Sequence, residues 1–256
     1  MNVTPTQTLV LLLIALLGHL MAFIWYVAWK KGWKISRTRI YDIDIPARQL
    51  QREAMNSLHA PIHAVILLGF LQFAQFQNES MTSFVATGLG VTVWAEVWHY
   101  FSHRAFHLKP LHWIHVEHHR SHINSPLTAI SFSFWEKLFF DLGLLLPLAA
   151  VDQLVSLNFY GIAAWYVGYL VINSFSHANF EFRGTGYIGH VGRFLTTTTY
   201  HSLHHSRYTG NYGLGTRFLD RLFGTEWEDY EPLYAQITNA HKPLRRLREK
   251  AGEDSE

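Results

Sequence analysis

The chain has 256 residues, of which 49% are apolar and 15% aromatic, while only 16% are charged. Soluble domains usually contain about 25% charged residues, so this composition favours a protein that faces lipid. The net charge of +2 is too small to indicate nucleic-acid binding, and the absence of cysteine excludes disulfides and thiolate-ligated metals. Any metal must therefore be held by nitrogen and oxygen.

A first membrane span is predicted at residues 8–29, which carry no formal charge and are long enough to cross a hydrocarbon core of about 30 Å. A signal peptide is the alternative, but no positive charge precedes this segment and no small-residue cleavage site follows it. Five lysines and arginines lie within residues 30–39. By the positive-inside rule they place the end of this span in the cytoplasm.

Two hairpins of further spans are predicted from stretches without charge. The first has spans near residues 59–77 and 80–98, and the second lies near 138–172, where Asp141 and Pro147 interrupt a short first arm that is a candidate re-entrant segment. We therefore expect an all-α, polytopic membrane bundle of about four or five spans. A cytoplasmic, histidine-lined helical cap would hold a dimetal site. The expected divisions are an N-terminal membrane region at 1–95, a histidine-box domain at 96–230 and a charged cytoplasmic tail at 231–256.

Histidine is concentrated directly after the third predicted span, where residues 99–122 hold eight of the chain's 17 histidines. Spacings of three and four residues place several of these rings on one face of a helix, where they can share an ion. The spacing His-x-x-His-His occurs at His115 and again at His201. Isolated histidines are usually solvated or hydrogen-bonded, but such a cluster beside apolar segments indicates a metal site.

These residues together resemble the fatty acid hydroxylase/sterol desaturase superfamily of membrane diiron oxygenases, from about residue 95 to 225. Three histidine boxes, a His-x-Asn element and the endings Asn-Tyr-Gly and Asp-Arg-Leu-Phe-Gly-Thr match its pattern. Glu96 stands where the family usually has Asp, and Leu219 replaces the usual Trp. The extra histidines are His99, His112 and His122, of which His99 and His122 are reserve ligands.

The resemblance implies two non-haem iron ions held by nine histidines. The predicted ligands are His103, His107, His115, His118, His119, His177, His201, His204 and His205. Glu96 and Asp220 are the candidate catalytic carboxylates, either of which could instead orient a ligand histidine. The softness of the donors alone would also allow zinc or copper.

The expected reaction is O₂-dependent hydroxylation or desaturation of a C–H bond in a lipid, such as a sterol or a fatty acyl chain. The sequence has no nicotinamide, flavin or haem signature, so electrons from NAD(P)H should arrive through a separate cytochrome b5- or ferredoxin-type donor and its reductase. The expected location is a bacterial inner membrane or an ER-type membrane, among membrane lipids. Two rival classes are a metal transporter, which usually has carboxylates along its path, and a zinc hydrolase, which needs only three ligands.

Overall fold

The computed structural model describes residues 4–71, 74, 76–182, 184 and 187–252. Regular structure within these residues is helical, with a few isolated β-bridges between loops. The α-helices are α1 (Pro5–Lys31), α2 (Ala47–Asn56), α3 (Ala60–Leu71), α4 (Met81–Phe106), α5 (His112–His119), α6 (Phe134–Asp152), α7 (Phe159–Ser176), α8 (Thr198–Arg207), α9 (Phe218–Leu222) and α10 (Tyr230–Thr238). The all-α class predicted from the sequence is confirmed for this part of the chain.

Helix α1 is the one described helix whose length and hydropathy qualify it as a candidate membrane span. A capping box between Thr4 and Gln7 begins it, and Gly32 ends it with the positive φ of 63° that glycine tolerates. Large apolar side chains on its surface are exposed, including Leu13 at 56% and Leu16 at 65%. Exposed leucines on this scale are expected where a helix faces lipid.

The other predicted spans also fall on helices. The first hairpin coincides with α3 and α4, and the second with α6 and α7, with Pro147 inside α6. Residues 72, 73 and 75 of the predicted second span lie outside the described residues. The number of membrane crossings stays a prediction.

Helices α1, α4, α6 and α7 form one half of the molecule. Glycine allows α7 to lie directly against α4, because a Cβ at Gly161 would be only 2.7 Å from the carbonyl oxygen of Phe84. Gly143 of α6 makes room in the same way for the indole of Trp98. The apolar core of this half includes Val91, Leu144 and several other buried side chains. This packing fixes where the far ends of α4 and α7 meet the rest of the chain.

The other half is a cap in which every residue of α8 is buried. Ile40, Tyr200, Leu203 and Leu233 are among the fully buried members of its core. The predicted tail contributes to it, because α10 is packed inside and Leu244 is buried against the backbone of Ile40, while residues 253–256 lie outside the described residues. The cap therefore holds α8 rigidly between the helix ends.

Candidate metal centre

The nine predicted histidines converge into two adjoining sets. Within each set the facing ring nitrogens all lie within 4.8 Å of one another. The first set is His103, His107, His115, His119 and His204, and the second is His118, His177, His201 and His205. Ring centroids of His119 and His205, one from each set, are 4.6 Å apart. The structure thus brings together all nine histidines that the sequence singles out.

Four helices deliver these rings. The end of α4 supplies His103 and His107, and the end of α7 supplies His177. Helices α5 and α8 each carry one complete His-x-x-His-His box. The sites therefore lie where the cap meets the ends of the apolar helices.

Backbone carbonyls fix the outer nitrogen of five of these rings. A carbonyl oxygen only accepts, so each Nδ1 must carry the proton and each Nε2 must keep its lone pair. The five bonds run from His103 to Tyr212 O (2.8 Å), His118 to Ser131 O (2.9 Å), His177 to Asn173 O (2.8 Å), His204 to Gly210 O (2.7 Å) and His205 to Ser121 O (3.1 Å). The five lone pairs are therefore available for a metal.

The inner nitrogens lie close enough together to share a cation. Nε2 of His177 lies 3.2 Å from Nε2 of His118 and 2.9 Å from Nε2 of His201. His118 and His177 both place their proton on Nδ1, so their facing Nε2 lone pairs cannot form a hydrogen bond. In the first set the Nε2 atoms of His204 and His119 are 3.0 Å apart. A cation between His118 and His177 would convert their repulsion into coordination.

Burial keeps these imidazoles neutral. It lowers the pKa of His118 to about 4 and, with a contribution from the nearby His112, that of His107 to about 3. Burial is also the largest cause of a lowered pKa in the other seven rings. Neutral imidazole is the form that binds metal, so no proton must leave before binding. The donor set fits two borderline transition-metal ions.

The match to known proteins follows this geometry. A profile of the fatty acid hydroxylase family covers residues 88–225, from within α4 to just beyond α9 and including all nine ligands. The chain belongs to the fatty acid hydroxylase family.

Similar family members act on different lipids, by their names. A very-long-chain aldehyde decarbonylase of Oryza sativa is 29% identical over 161 residues, which are 59% of this chain and 25% of the relative. A methylsterol monooxygenase of Aspergillus fumigatus is 31% identical over 134 residues, or 52% of this chain and 45% of the relative. The chain thus spans about a quarter of the plant relative and under half of the fungal one. No solved structure matches it.

Asp220 holds the family's Asn-Tyr-Gly loop, and Glu96 holds the segment that follows it at Thr216. Asp220 is fully buried and accepts from the backbone N–H of Tyr212 (2.9 Å) and of Gly213 (2.7 Å). Glu96 accepts from the backbone N–H of Thr216 (3.1 Å) and from its hydroxyl (2.8 Å). Because the carbonyl of Tyr212 orients His103, Asp220 acts on the site through this loop.

Sequence reasoning missed two further buried carboxylates. Glu136, near the start of α6, accepts from Nδ1 of His115 at 2.7 Å and so orients a sixth ring. Glu53 of α2 accepts from the hydroxyl of Ser121, whose carbonyl orients His205. The available signal for Glu136 was an acidic residue, followed by Lys137, at the start of an apolar stretch, and there was nothing comparable for Glu53.

The three extra histidines lie outside both sets. His99 is partly buried and stacks on Phe140, with ring centroids 5.4 Å apart. His112 bonds to the hydroxyl of Tyr208, and His122 is exposed. Neither His99 nor His122, the predicted reserve ligands, belongs to a described set.

Two cavities lie among the apolar helices, and none of the nine histidines lines either of them. One, of ≈ 280 Å³, is lined by His99, Glu96 and aromatic side chains of α4, α6 and α7. The other, of ≈ 140 Å³, lies between α1, α3, α6 and α7 and is mostly apolar. Lys137 and Tyr166 line both. The larger cavity comes nearest to the first set at His99, whose ring centroid is 5.1 Å from that of His103.

Proposed function

We propose that this family member is a membrane-bound, O₂-dependent oxidoreductase that hydroxylates or desaturates a C–H bond of a lipid. The observation that carries the proposal is the pair of buried, neutral histidine sets whose lone pairs face inward beside apolar cavities. The two sets would hold two irons, in agreement with an all-nitrogen donor set without thiolate. When bound, such iron supplies the O₂ chemistry needed to attack an unactivated C–H bond.

The chain's own residues orient the imidazoles, line the lipid cavity and exclude water from it. Backbone carbonyls and Glu136 fix six of the imidazoles, so the donor geometry exists before any metal arrives. The aromatic and aliphatic cavity walls exclude water from a bound lipid, and the acidic and basic side chains that line the larger cavity are Glu96, Lys137 and Asp141. The exposed leucines of α1 support insertion in a bilayer, from which a lipid can enter between the helices.

Metal analysis and O₂ uptake by the purified, lipid-embedded chain test the proposal. We expect iron in both sets and lipid-dependent O₂ consumption, with the product identified by mass spectrometry of lipids from cells with and without the gene. His204→Ala removes a first-set donor and should lower iron content and turnover together, while exposed His122→Ala should change neither. Zinc content with hydrolysis, or metal transport without O₂ consumption, would replace the proposal with one of its rivals.

Electrons from NAD(P)H would come through a separate cytochrome b5- or ferredoxin-type donor. In the multi-pass topology that we propose, the histidine sets would lie at the cytoplasmic face, where such a donor can dock. Arg245, Arg246 and Arg248 are exposed on the cap and are candidates for attracting an acidic partner.

Reversal of these three arginines to Glu should slow donor-dependent turnover mainly at low salt. Exposed charges are screened over a Debye length of about 10 Å at 0.1 M, so the effect should fade as salt is added. The measurement is turnover against ionic strength with the natural donor. An unchanged rate at every salt concentration would place the docking surface elsewhere, and NAD(P)H-driven turnover without any added protein would remove the separate donor.

A further inference from the structure

A group of polar side chains lies between the two cavities, at the level of the apolar helices. His63 of α3, Lys137 and Asp141 of α6, and Tyr166 of α7 form this group, which we call the polar pocket. Lys137 and Tyr166 face both cavities, while His63 faces the smaller one and Asp141 the larger one. None of these side chains belongs to the two histidine sets.

Three of the four groups are already connected. Lys137 forms an ion pair with Asp141 Oδ1, one helical turn away on α6. The same ammonium lies 2.9 Å from the hydroxyl oxygen of Tyr166 on the neighbouring helix. The positive and negative charges cancel, so the polar pocket offers hydrogen-bonding atoms without a net charge.

The His63 ring and one carboxylate oxygen of Asp141 have no hydrogen bond in the structure. Asp141 Oδ2 and both ring nitrogens of His63 have none, although Asp141 is only 6% and His63 only 2% exposed. Buried polar atoms are nearly always satisfied, so such atoms indicate a missing partner.

The spacing between these atoms suits one oxygen. His63 Nδ1 and Asp141 Oδ2 are 3.9 Å apart, which is too far for a direct hydrogen bond. An oxygen at about 2.8 Å from each would bridge them with ordinary bond lengths. A hydroxyl group can donate to the carboxylate and at the same time accept from the imidazole or from Lys137.

Charge decides between the polar groups that a lipid can carry. A lipid carboxylate or phosphate would be repelled by the negative charge of Asp141, and a lipid amine would be repelled by the positive charge of Lys137. An ether or carbonyl oxygen accepts but cannot donate to Asp141 Oδ2. An alcohol satisfies both the acceptor and the donors.

The polar pocket is close to the metal centre along a single helix. Glu136, which orients His115, directly precedes Lys137, and Phe140, which stacks on His99, directly precedes Asp141. At a rise of about 1.5 Å per residue, Asp141 is only about 7.5 Å along α6 from Glu136. The larger cavity is lined by both Asp141 and His99, and the ring centroid of His99 is 5.1 Å from that of His103 in the first set. A lipid held by an oxygen at the polar pocket can therefore extend along this cavity towards the metal centre.

We propose that the polar pocket of His63, Lys137, Asp141 and Tyr166 binds the hydroxyl group of an uncharged lipid alcohol, and so selects which carbon reaches the centre. The inference rests on the proposed function for the choice of carbon. The binding step stands without turnover, and its test uses binding alone.

The binding test uses the full metal-loaded chain in nanodiscs and four probes with the same brominated undecyl tail: the alcohol, its methyl ether, the carboxylate and the plain alkane. Bromine quenches tryptophan, and Trp98 and Trp165 line the larger cavity, so quenching against probe mole fraction reports occupancy. Hydrogen bonds to charged groups predict that the alcohol binds at least about tenfold tighter than the alkane and the ether. The carboxylate should bind more weakly than the alcohol.

Matched variants localise the effect. Tyr166→Phe should reduce the preference for the alcohol several-fold, while Tyr169→Phe, on the same helix and lining both cavities, should not. His63→Phe should reduce it, while His59→Phe, whose ring nitrogen bonds instead to the carbonyl of Phe132, should not. Asp141→Asn leaves Lys137 uncompensated and should shift the preference from the alcohol to the carboxylate. Unchanged metal content and melting temperature confirm that each variant is folded.

Equal affinity of all four probes for the unaltered chain would mean that the polar pocket holds only water, and would overturn the proposal. An alcohol preference that survives both Tyr166→Phe and His63→Phe would also overturn it, because the binding site would lie elsewhere. Selective alcohol binding by a chain that consumes no O₂ would refute the proposed function and leave the binding site standing. With an active enzyme, Tyr166→Phe should spread the product over several carbons.

Discussion

Replacing His177 with alanine tests whether the second histidine set is a metal site in its own right. This ring lies outside both His-x-x-His-His boxes, yet its Nε2 is 2.9 Å from that of His201 and 3.2 Å from that of His118. The variant reduces the second set from four donors to three and leaves the five donors of the first set in place. We expect metal content to fall from about two ions per chain towards one.

The magnitude follows from what weaker changes do in other metal sites. Losing a hydrogen-bond partner of a ligand lowers metal affinity about 10- to 100-fold, or about 1.4–2.8 kcal/mol, and losing the donor atom itself should cost at least as much. Elemental analysis per chain at limiting iron gives the occupancy, and O₂ uptake gives the turnover, which should be lost with the second ion. His177→Gln preserves more of the buried volume, and exposed His122→Ala is the matched control. Two ions bound to both His177 variants at limiting iron would show that this histidine is a hydrogen-bonded helix terminus.

Two further predictions concern the residues that position the site. Asp220 accepts from two backbone N–H groups, and Asp220→Asn replaces one of its two accepting oxygens with an amide nitrogen that cannot accept. At least one buried donor is then left unpaired, at a cost of about 1–3 kcal/mol. Thermal unfolding should show a lower Tm, with weaker iron binding through His103, and unchanged values of both would refute this. Gly161→Ala forces a Cβ to within 2.7 Å of a backbone carbonyl of α4 and should destabilise the fold by about 1–3 kcal/mol. Gly168→Ala, on the same helix, is the control because its added Cβ meets nothing within 4 Å. Equal melting temperatures for the two variants would refute the close packing.

The clustering of the nine histidines could be predicted from the sequence because metal binding restricts residue type and spacing together. Only histidine supplies a neutral nitrogen donor, and spacings of three and four residues predict a shared helical face. His177 stands alone in the sequence, and it was predicted from its place after an apolar segment and from the family's His-x-Asn element. The structure places its ring in the second set.

The groups that orient the ligands could not be predicted in the same way. Five of them are backbone carbonyls, such as those of Tyr212 and Ser131, and every residue type carries a carbonyl. Their role depends on long-range packing, since Tyr212 is 109 residues from the histidine that it orients. Glu136 acts through its side chain, but an acidic residue in the first turn of a helix is also common for helix stabilisation alone, so the sequence does not distinguish the two roles. Long-range packing also brings His63 and Tyr166 to Lys137 and Asp141, so the sequence predicts no polar pocket and shows Asp141 only as an interruption of an apolar segment.

The division of the nine ligands into two sets follows from helix geometry in a way that the order of the boxes conceals. On α5, His115 and His119 are four residues apart and join the first set, while His118 joins the second. On α8 the roles are exchanged, because His201 and His205 join the second set and His204 the first. At about 100° per residue, the fourth residue of each box lies about 60° from the first around the helix, and the fifth lies about 40° from the first on its other side. The fourth and fifth rings therefore point about 100° apart. Each box therefore contributes rings to both sets, so neither helix can move away without opening both.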